Sequence, residues 1–93
     1  MKIRIRGIKA SARRHKISDE RIRAAVRACP RMLYVDDPLS GEDDLVMFFG
    51  PDDNANPLEV MGREHDDGSV TIFHAMPVRP DYRELYEQVT GSR

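Results

Sequence analysis

The chain has 93 residues, of which 40% are hydrophobic and 33% are charged, and its formal net charge is −1. This length supports one modest core and the composition is globular, so we expect a single domain over residues 1–93. No apolar run approaches the length of a membrane span, and the first residues lack the apolar run of a signal peptide. We therefore expect a cytoplasmic protein without a membrane partner. The single cysteine, Cys29, excludes an internal disulfide and a thiolate zinc cluster within one chain.

Charge is strongly segregated along the chain. Residues 1–31 contain eleven Lys or Arg against two acids, whereas residues 32–67 contain eleven Asp or Glu against one arginine. A basic face of this kind suits a polyanion such as nucleic acid, or an acidic partner protein. The alternative is that the two regions face each other in the fold and neutralise each other. The sequence favours neither interpretation.

Helices are predicted near both ends of the chain. Residues 8–15 are typical of one or two turns of basic helix. Ser18 is a typical N-cap, and the apolar spacing that follows predicts a helix with one buried face that ends at Pro30. Pro80 predicts the start of a last helix over residues 81–89, because proline is tolerated in the first turn.

Four strands are predicted between these helices, at residues 32–35, 45–49, 58–62 and 70–74. The continuous apolar run at 45–49 is typical of a central strand buried on both faces, and Asp67-Gly68 predicts a tight hairpin turn. The alternation of residues 2–6 fits either an edge strand or an extended lead-in. The predicted fold is therefore α+β, with N-terminal helices, a four-stranded antiparallel sheet (a meander) covered on one face by helices, and a C-terminal helix.

Asp52 begins a run of alternating oxygen-bearing side chains that matches the first half of a calcium-binding loop. Pro57 stands where that loop needs glycine, and Arg63 stands where it needs a bidentate acid. The spacing of the three histidines does not match a zinc site. We therefore expect no metal and no cofactor, and we predict a hairpin loop at residues 52–57.

The end of the last predicted strand concentrates side chains suited to RNA cleavage. That reaction needs cations that hold a phosphate and stabilise its added charge, and groups that shuttle protons. Arginine and lysine serve the first need, histidine serves the second, and tyrosine can stack on a base. The residues predicted to be catalytic are His74, Arg79 and Tyr82. The residues predicted to bind RNA phosphate are Lys9, Arg13, Arg14, His15 and Arg63.

Each predicted catalytic residue also has a structural interpretation. His74 continues an apolar strand and fits a hydrogen-bonded core histidine. Arg79 fits a surface ion pair, and Tyr82 fits the buried stripe of the last helix. No spacing rule in the sequence separates these interpretations from the catalytic one.

Several short motifs together resemble a protein family. They are Arg14 to Ser18 before a helix, Asp36-Asp37-Pro38, Gly50-Pro51-Asp52, Leu58-Glu59-Val60 and the closing stretch Ile72 to Pro80. The pattern is similar to the BrnT-like branch of the RelE/ParE superfamily of toxins from type II toxin–antitoxin modules. In those relatives a Ser-Ala-Arg-like triplet often stands where this chain has His74-Ala75-Met76.

The resemblance implies an endoribonuclease that acts on mRNA and is neutralised by a cognate antitoxin protein in a toxin–antitoxin hetero-oligomer. Two alternatives remain. One is a non-catalytic binding module on the same scaffold, which would dock an antitoxin or a nucleic acid through the basic N-terminal region. The other is inhibition of DNA gyrase, which the superfamily also contains.

Overall fold

The computed structural model describes residues 1–91 and contains one five-stranded mixed sheet and two α-helices. The strands are β1 (Ile5–Ile8), β2 (Leu33–Tyr34), β3 (Leu45–Pro51), β4 (Pro57–Glu64) and β5 (Val70–Pro77). The helices are α1 (Asp19–Ala28) and α2 (Arg83–Thr90), and 3-10 turns cover Ala10–Arg13 and Pro80–Tyr82. The sheet order is β1-β5-β4-β3-β2, with β1 parallel to β5 and the other pairs antiparallel. The α+β class is thus confirmed.

The prediction of a four-stranded antiparallel sheet is wrong. Residues 5–8 form a fifth strand, and it pairs in parallel with β5, so the sheet is mixed. This strand obtains its hydrogen bonds from a partner more than sixty positions later in the chain, as in the pairing of Ile5 with Val70. A local pattern of alternating residues cannot identify so distant a partner, which is why the sequence left the choice between strand and lead-in open.

The basic helix predicted over residues 8–15 is also wrong. The chain stays extended as far as Lys9, whose N–H donates to the carbonyl of Ile72 at 2.8 Å. Only the four-residue 3-10 turn Ala10–Arg13 follows, and Lys16 then adopts a left-handed conformation with φ of 61°. That conformation is unfavourable for a residue with a Cβ and ends the helical path.

Helix α1 forms as its sequence predicts. The Ser18 side chain accepts a hydrogen bond from the N–H of Arg21 at 3.3 Å, and the last helical residue, Ala28, precedes Pro30 by two positions. Ile17 and Ile22, which flank the cap, are both buried in the core. None of the helices within residues 1–91 is long and apolar enough to cross a membrane.

The two helices pack on opposite faces of the sheet, which corrects the prediction of one covered face. Phe49 contacts the rings of Tyr82 and Tyr86 in the C-terminal segment, at centroid distances of 6.0 and 5.9 Å. The next residue of β3, Gly50, lies against the backbone of α1 at Ala25. Because successive residues of a strand point to opposite faces, α1 and α2 cover different sides. The short α2 leaves part of its face of the sheet open.

Gly50 permits the close approach of α1 to β3. A Cβ at this position would lie 2.2 Å from the carbonyl oxygen of Ala25 and 3.1 Å from the nitrogen of Cys29. Both are backbone atoms, so they cannot move aside as a flexible side chain would. Gly50→Ala is expected to lower the free energy of unfolding by about 1–3 kcal/mol, as overpacking in cores does. Urea unfolding followed by circular dichroism measures this loss.

Gly7→Ala is the matched control, since a Cβ on Gly7 meets no atom within 4 Å. Its unfolding free energy should stay within about 0.5 kcal/mol of the parent, as is usual for surface substitutions. Equal stability of the two alanine variants would contradict the tight packing of α1 on β3.

Candidate active site

A buried carboxylate, Glu59, organises the end of β5. Its side chain is inaccessible to solvent, and its oxygens accept from His74 Nε2 at 3.1 Å and from the backbone N–H of Arg79 at 3.0 Å. The guanidinium of Arg79 forms an ion pair with the same carboxylate at 2.7 Å. A buried charge is costly unless it is paired and hydrogen-bonded, and these three contacts meet that need. Glu59 therefore fixes two of the predicted catalytic residues relative to β4.

A β-bulge in β5 turns His74 toward Glu59. Ile72 pairs with Gly62 and His74 pairs with Met61, so Phe73 is an extra residue in the ladder. Simple alternation from Ile72 would have placed the His74 side chain on the face packed against α1. The bulge instead places Phe73 and His74 on the same face, where they line a common cavity.

His15 lies beside His74, and the two imidazole rings meet edge to face with centroids 6.1 Å apart. They line a small cavity of about 190 Å³ together with Ser11, Arg14 and Phe73. We call this space the histidine cavity. The segment that contains His15 lies beside β5 because the Ser11 hydroxyl donates to the carbonyl of Phe73 at 2.7 Å, which holds the 3-10 turn against the strand.

The hydrogen bond to Glu59 selects the tautomer of His74. An ionised carboxylate only accepts hydrogen bonds, so Nε2 carries the proton in the neutral ring. Nδ1 is then the nitrogen that can take up a proton. The His74 side chain is 23% exposed, which is enough for contact with a ligand. This arrangement suits proton transfer by a positioned imidazole.

Arg79 is held between a carboxylate and an aromatic ring at the rim of the site. Its guanidinium carbon lies 5.0 Å from the centre of the Tyr82 ring, and Tyr82 in turn packs against Phe49. The hydrogen bond to Glu59 raises the pKa of Arg79 above its usual value, so this residue remains a cation. Tyr82 supports Arg79 from one side, and its role in stacking on a base or orienting the substrate stays a prediction.

Two of the predicted phosphate-binding residues are engaged in ion pairs. Arg13 makes two hydrogen bonds to Asp19, at 2.8 and 3.0 Å. Arg63 pairs with Asp37 at 2.6 Å and with Asp44 at 2.8 Å. Their charges are thus largely compensated within the fold.

Lys9 and Arg14, in contrast, form no ion pair with any of residues 1–91. The structure therefore brings His74, Arg14 and His15 together on one cavity, whereas Lys9 and Arg63 line an adjacent groove. Arg79 is linked to His74 through Glu59, and Tyr82 packs on Arg79. Arg13 belongs to neither set of lining residues.

Part of the segregated charge is neutralised within the fold, and the basic face for a partner stays a prediction. The basic N-terminal region meets the acidic region where Arg4 and Arg6 pair with Asp67, and where Arg21 pairs with Asp52 at 2.7 Å. Seven other cations of the first 31 residues have no carboxylate partner within the part of the chain that the structure describes. They are Lys2, Lys9, Arg14, Lys16, Arg23, Arg27 and Arg31.

Asp52 stabilises the hairpin loop between β3 and β4. Its buried carboxylate accepts from the backbone N–H groups of Asn54 and Asn56, both at 2.9 Å, and from Arg21. Burial raises the pKa of Asp52, but these hydrogen bonds outweigh burial and hold that pKa well below its usual value. The loop joins β3 to β4 as predicted. Among residues 1–91 no cluster of three or more His, Cys, Asp or Glu side chains could hold a metal ion.

Asp37 provides a test of pH dependence. Hydrogen bonds from Ser40 and then Arg63 lower the pKa of Asp37 to about 2, from an unfolded value of about 3.9. A depressed pKa contributes stability that is present above the unfolded value and lost as the pH falls toward the folded one. The urea midpoint is therefore expected to drop between about pH 4 and 2. Asp37→Asn should make this drop shallower, and an equally steep drop in the variant would contradict the assignment.

Glu59 and Ser11 are site residues that sequence reasoning missed. In the sequence, Glu59 belongs to the Leu58-Glu59-Val60 motif and is a polar position between apolar ones, and such a position normally faces solvent. One signal could have indicated otherwise, since a lone acid within an apolar strand needs a cation when the sheet is covered on both faces. Ser11 carried no signal, because its contact with Phe73 depends on the tertiary fold.

The fold and site define an α+β protein with a candidate acid–base site at the end of its last strand. No family model, no curated protein and no solved structure matches the chain significantly.

Proposed function

We propose that this chain is an RNA-cleaving toxin of a type II toxin–antitoxin module, held inactive by a cognate antitoxin. The observation that carries the proposal is the pair of imidazoles, His15 and His74, on one cavity with the uncompensated cation Arg14. Two imidazoles that line one cavity next to a cation can supply the proton transfers and the positive charge that RNA cleavage requires.

The chemistry proceeds by attack of a ribose 2′-oxygen on the adjacent phosphorus. One histidine takes the 2′-hydroxyl proton as the O–P bond forms, and the other gives a proton to the departing 5′-oxygen as its bond to phosphorus breaks. The products are a 2′,3′-cyclic phosphate and a 5′-hydroxyl. Arg14 and Arg79 stabilise the charge that builds on the phosphoryl oxygens.

Glu59 acts as a positioning residue in this scheme. Its carboxylate holds His74 through Nε2 and leaves Nδ1 to exchange the proton. It also holds the guanidinium of Arg79 at the rim, at 2.7 Å. The same buried group thus aligns a proton-transfer residue and a phosphate-binding cation.

The resemblance to the BrnT-like toxins supports the same function. Two of its motifs, residues 14–18 and residues 72–80, are far apart in the sequence. In the fold, His15 of the first motif and His74 of the second lie against each other. Residues that the resemblance groups together thus meet at the candidate site.

A non-catalytic binding module is the second candidate, and one observation favours it. Several cations of the first 31 residues lack an acidic partner among residues 1–91, which leaves a basic surface for an acidic antitoxin or for nucleic acid. Such a module would bind RNA without cutting it, with an affinity that falls steeply as salt rises. Gyrase inhibition, the third hypothesis, would be separated from RNA cleavage by DNA-damage signalling on expression.

The test is incubation of the purified chain with single-stranded RNA and analysis of the fragment ends. The proposal expects fragments with 2′,3′-cyclic phosphate and 5′-hydroxyl ends, and slowed growth of cells that express the chain. Co-expression of a small protein encoded beside it should restore growth. RNA that stays intact, together with harmless expression, would reject the toxin function.

A further inference from the structure

A larger groove adjoins the histidine cavity on the same face of the sheet. Its volume is about 550 Å³, within the range of roughly 300–1,000 Å³ that is typical of small-molecule sites. The groove is lined by Lys9, Ser11, Arg63, His65, Thr71 and Phe73. Ser11 and Phe73 also line the histidine cavity, so the two depressions are neighbours. We call the larger one the Phe73 groove.

The groove has an aromatic surface and a planar cation that is fixed in place. The guanidinium carbon of Arg63 lies 6.0 Å from the centre of the Phe73 ring. Asp37 and Asp44 hold this guanidinium by two ion pairs, so its orientation is set before any ligand binds. Phe73 alternates with Ile72, which faces α1, so the Phe73 ring lies on the opposite face of the sheet, in the groove.

Polar groups surround this apolar surface. His65 Nε2 and the Thr71 hydroxyl lie 2.7 Å apart, and Ser11 lines both the groove and the histidine cavity. Lys9 adds a cation that no acid within residues 1–91 compensates. A flat π-surface with a polar edge and a nearby cation matches the parts of a nucleotide, whose base stacks and hydrogen-bonds and whose phosphate is anionic.

We propose that the Phe73 groove binds one nucleobase of single-stranded RNA, that of the nucleotide adjacent to the phosphate bound in the histidine cavity. This inference rests on the proposed function and adds a specificity site to it. The base stacks on Phe73, its polar edge meets Thr71 and His65, and Lys9 meets the backbone. The RNA chain crosses from the groove to the histidine cavity at Ser11, which lines both.

The experiment measures the binding of a fluorescent hexamer of 2′-fluoro RNA, which keeps its bases but lacks the attacking hydroxyl. Phe73→Leu keeps apolar bulk and removes the aromatic face, and it should weaken binding about tenfold or more. Tyr34→Leu is the control, because Tyr34 is an exposed aromatic residue of β2 outside the groove. Its affinity should equal that of the parent.

A series of hexamers, each with one abasic position, locates the base. Removal of the base at one position should lower the affinity of the parent as much as Phe73→Leu does. The Phe73→Leu variant should then bind that abasic hexamer no more weakly than it binds the intact one. Thr71→Val is a second variant, which removes a hydroxyl at the groove edge with little change in volume. It should weaken binding at the same position, so the inference stays testable if Phe73→Leu fails to fold.

Three results would overturn the inference. The first is an affinity for the hexamer equal to that of the parent in both Phe73→Leu and Thr71→Val. The second is a loss of affinity at an abasic position that is the same with and without Phe73. The third is a free nucleoside monophosphate that binds as tightly as the hexamer, which would indicate a mononucleotide site.

Cleavage of the matching 2′-hydroxyl hexamer is measured in parallel. If the protein cleaves RNA but Phe73→Leu binds RNA as tightly as the parent, only the proposal for the groove is rejected. Phe73-dependent binding without cleavage supports the groove and rejects the ribonuclease.

Discussion

Replacement of His74 by alanine is expected to lower the single-turnover rate of RNA cleavage by about 10²–10⁴-fold, the usual contribution of a general acid or base. The imidazole lies on the histidine cavity with His15, and its Nε2 is engaged by Glu59. Removal of the ring therefore removes a positioned proton carrier. His15→Ala should cause a loss of similar size, because proton removal and proton donation are both required.

His74→Gln is the matched control for folding. Its side-chain amide can still donate to Glu59, so the buried carboxylate keeps a partner, but it cannot exchange a proton at neutral pH. This variant should be as slow as His74→Ala while unfolding at a urea concentration closer to that of the parent. A His74→Ala variant that cleaves RNA at the parental rate would contradict the catalytic role.

Replacement of the 5′-oxygen leaving group of the RNA by sulfur shows which histidine is the general acid and which is the general base. A 5′-thiolate leaving group has a much lower pKa than an alcohol and needs no proton from the enzyme, since a thiol titrates near about 8.5. The histidine that serves as general acid should therefore become dispensable with a 5′-thio substrate, whereas loss of the general base should stay harmful. Equal rescue of both alanine variants by the 5′-thio substrate would contradict the assignment of one histidine as general acid and the other as general base.

Removal of the Arg79 guanidinium is expected to lower the free energy of unfolding by about 2–4 kcal/mol. The Glu59 carboxylate is inaccessible to solvent and would keep only His74 and one backbone N–H as partners. Breaking a fully buried ion pair costs about 3–5 kcal/mol, and the estimate is reduced because the Arg79 side chain is 45% exposed. Urea unfolding of Arg79→Ala at pH 7 measures the loss.

A double-mutant cycle isolates the cause. Glu59→Gln in the Arg79→Ala background replaces the stranded charge with a neutral amide of the same shape, and it should recover part of the lost stability. The coupling energy between the two positions should exceed about 1 kcal/mol. Additive losses in the double variant would mean that the pair contributes no specific stabilisation.

The local elements were largely predictable because their signals are local. The hydroxyl of Ser18 caps α1 as its residue type indicates, and Gly68 adopts φ of 85° in the β4–β5 turn that Asp67-Gly68 predicts. The apolar run of β3 is buried from Leu45 to Gly50. Each of these features depends on residues within a few positions of one another.

The arrangement of the site was less predictable because it depends on register. His74 reaches Glu59 only because a bulge at Phe73 interrupts the alternation of β5, and no residue type in that stretch marks a bulge. Parallel pairing of β1 and the contact of His15 with His74 both join distant parts of the chain. The sequence predicted His74, Arg79 and His15 as functional residues, but it contained no sign that Glu59 links the first two.

The most direct test of the proposed acid–base pair is the pH dependence of RNA cleavage in the parent and in the two histidine variants. One histidine must act unprotonated as the base and the other protonated as the acid, so the parental rate should follow a bell-shaped pH profile. His15→Ala and His74→Ala should each lose one limb of the bell, and the two limbs should differ. A profile that is flat in the parent, or that keeps both limbs in both variants, would contradict the account.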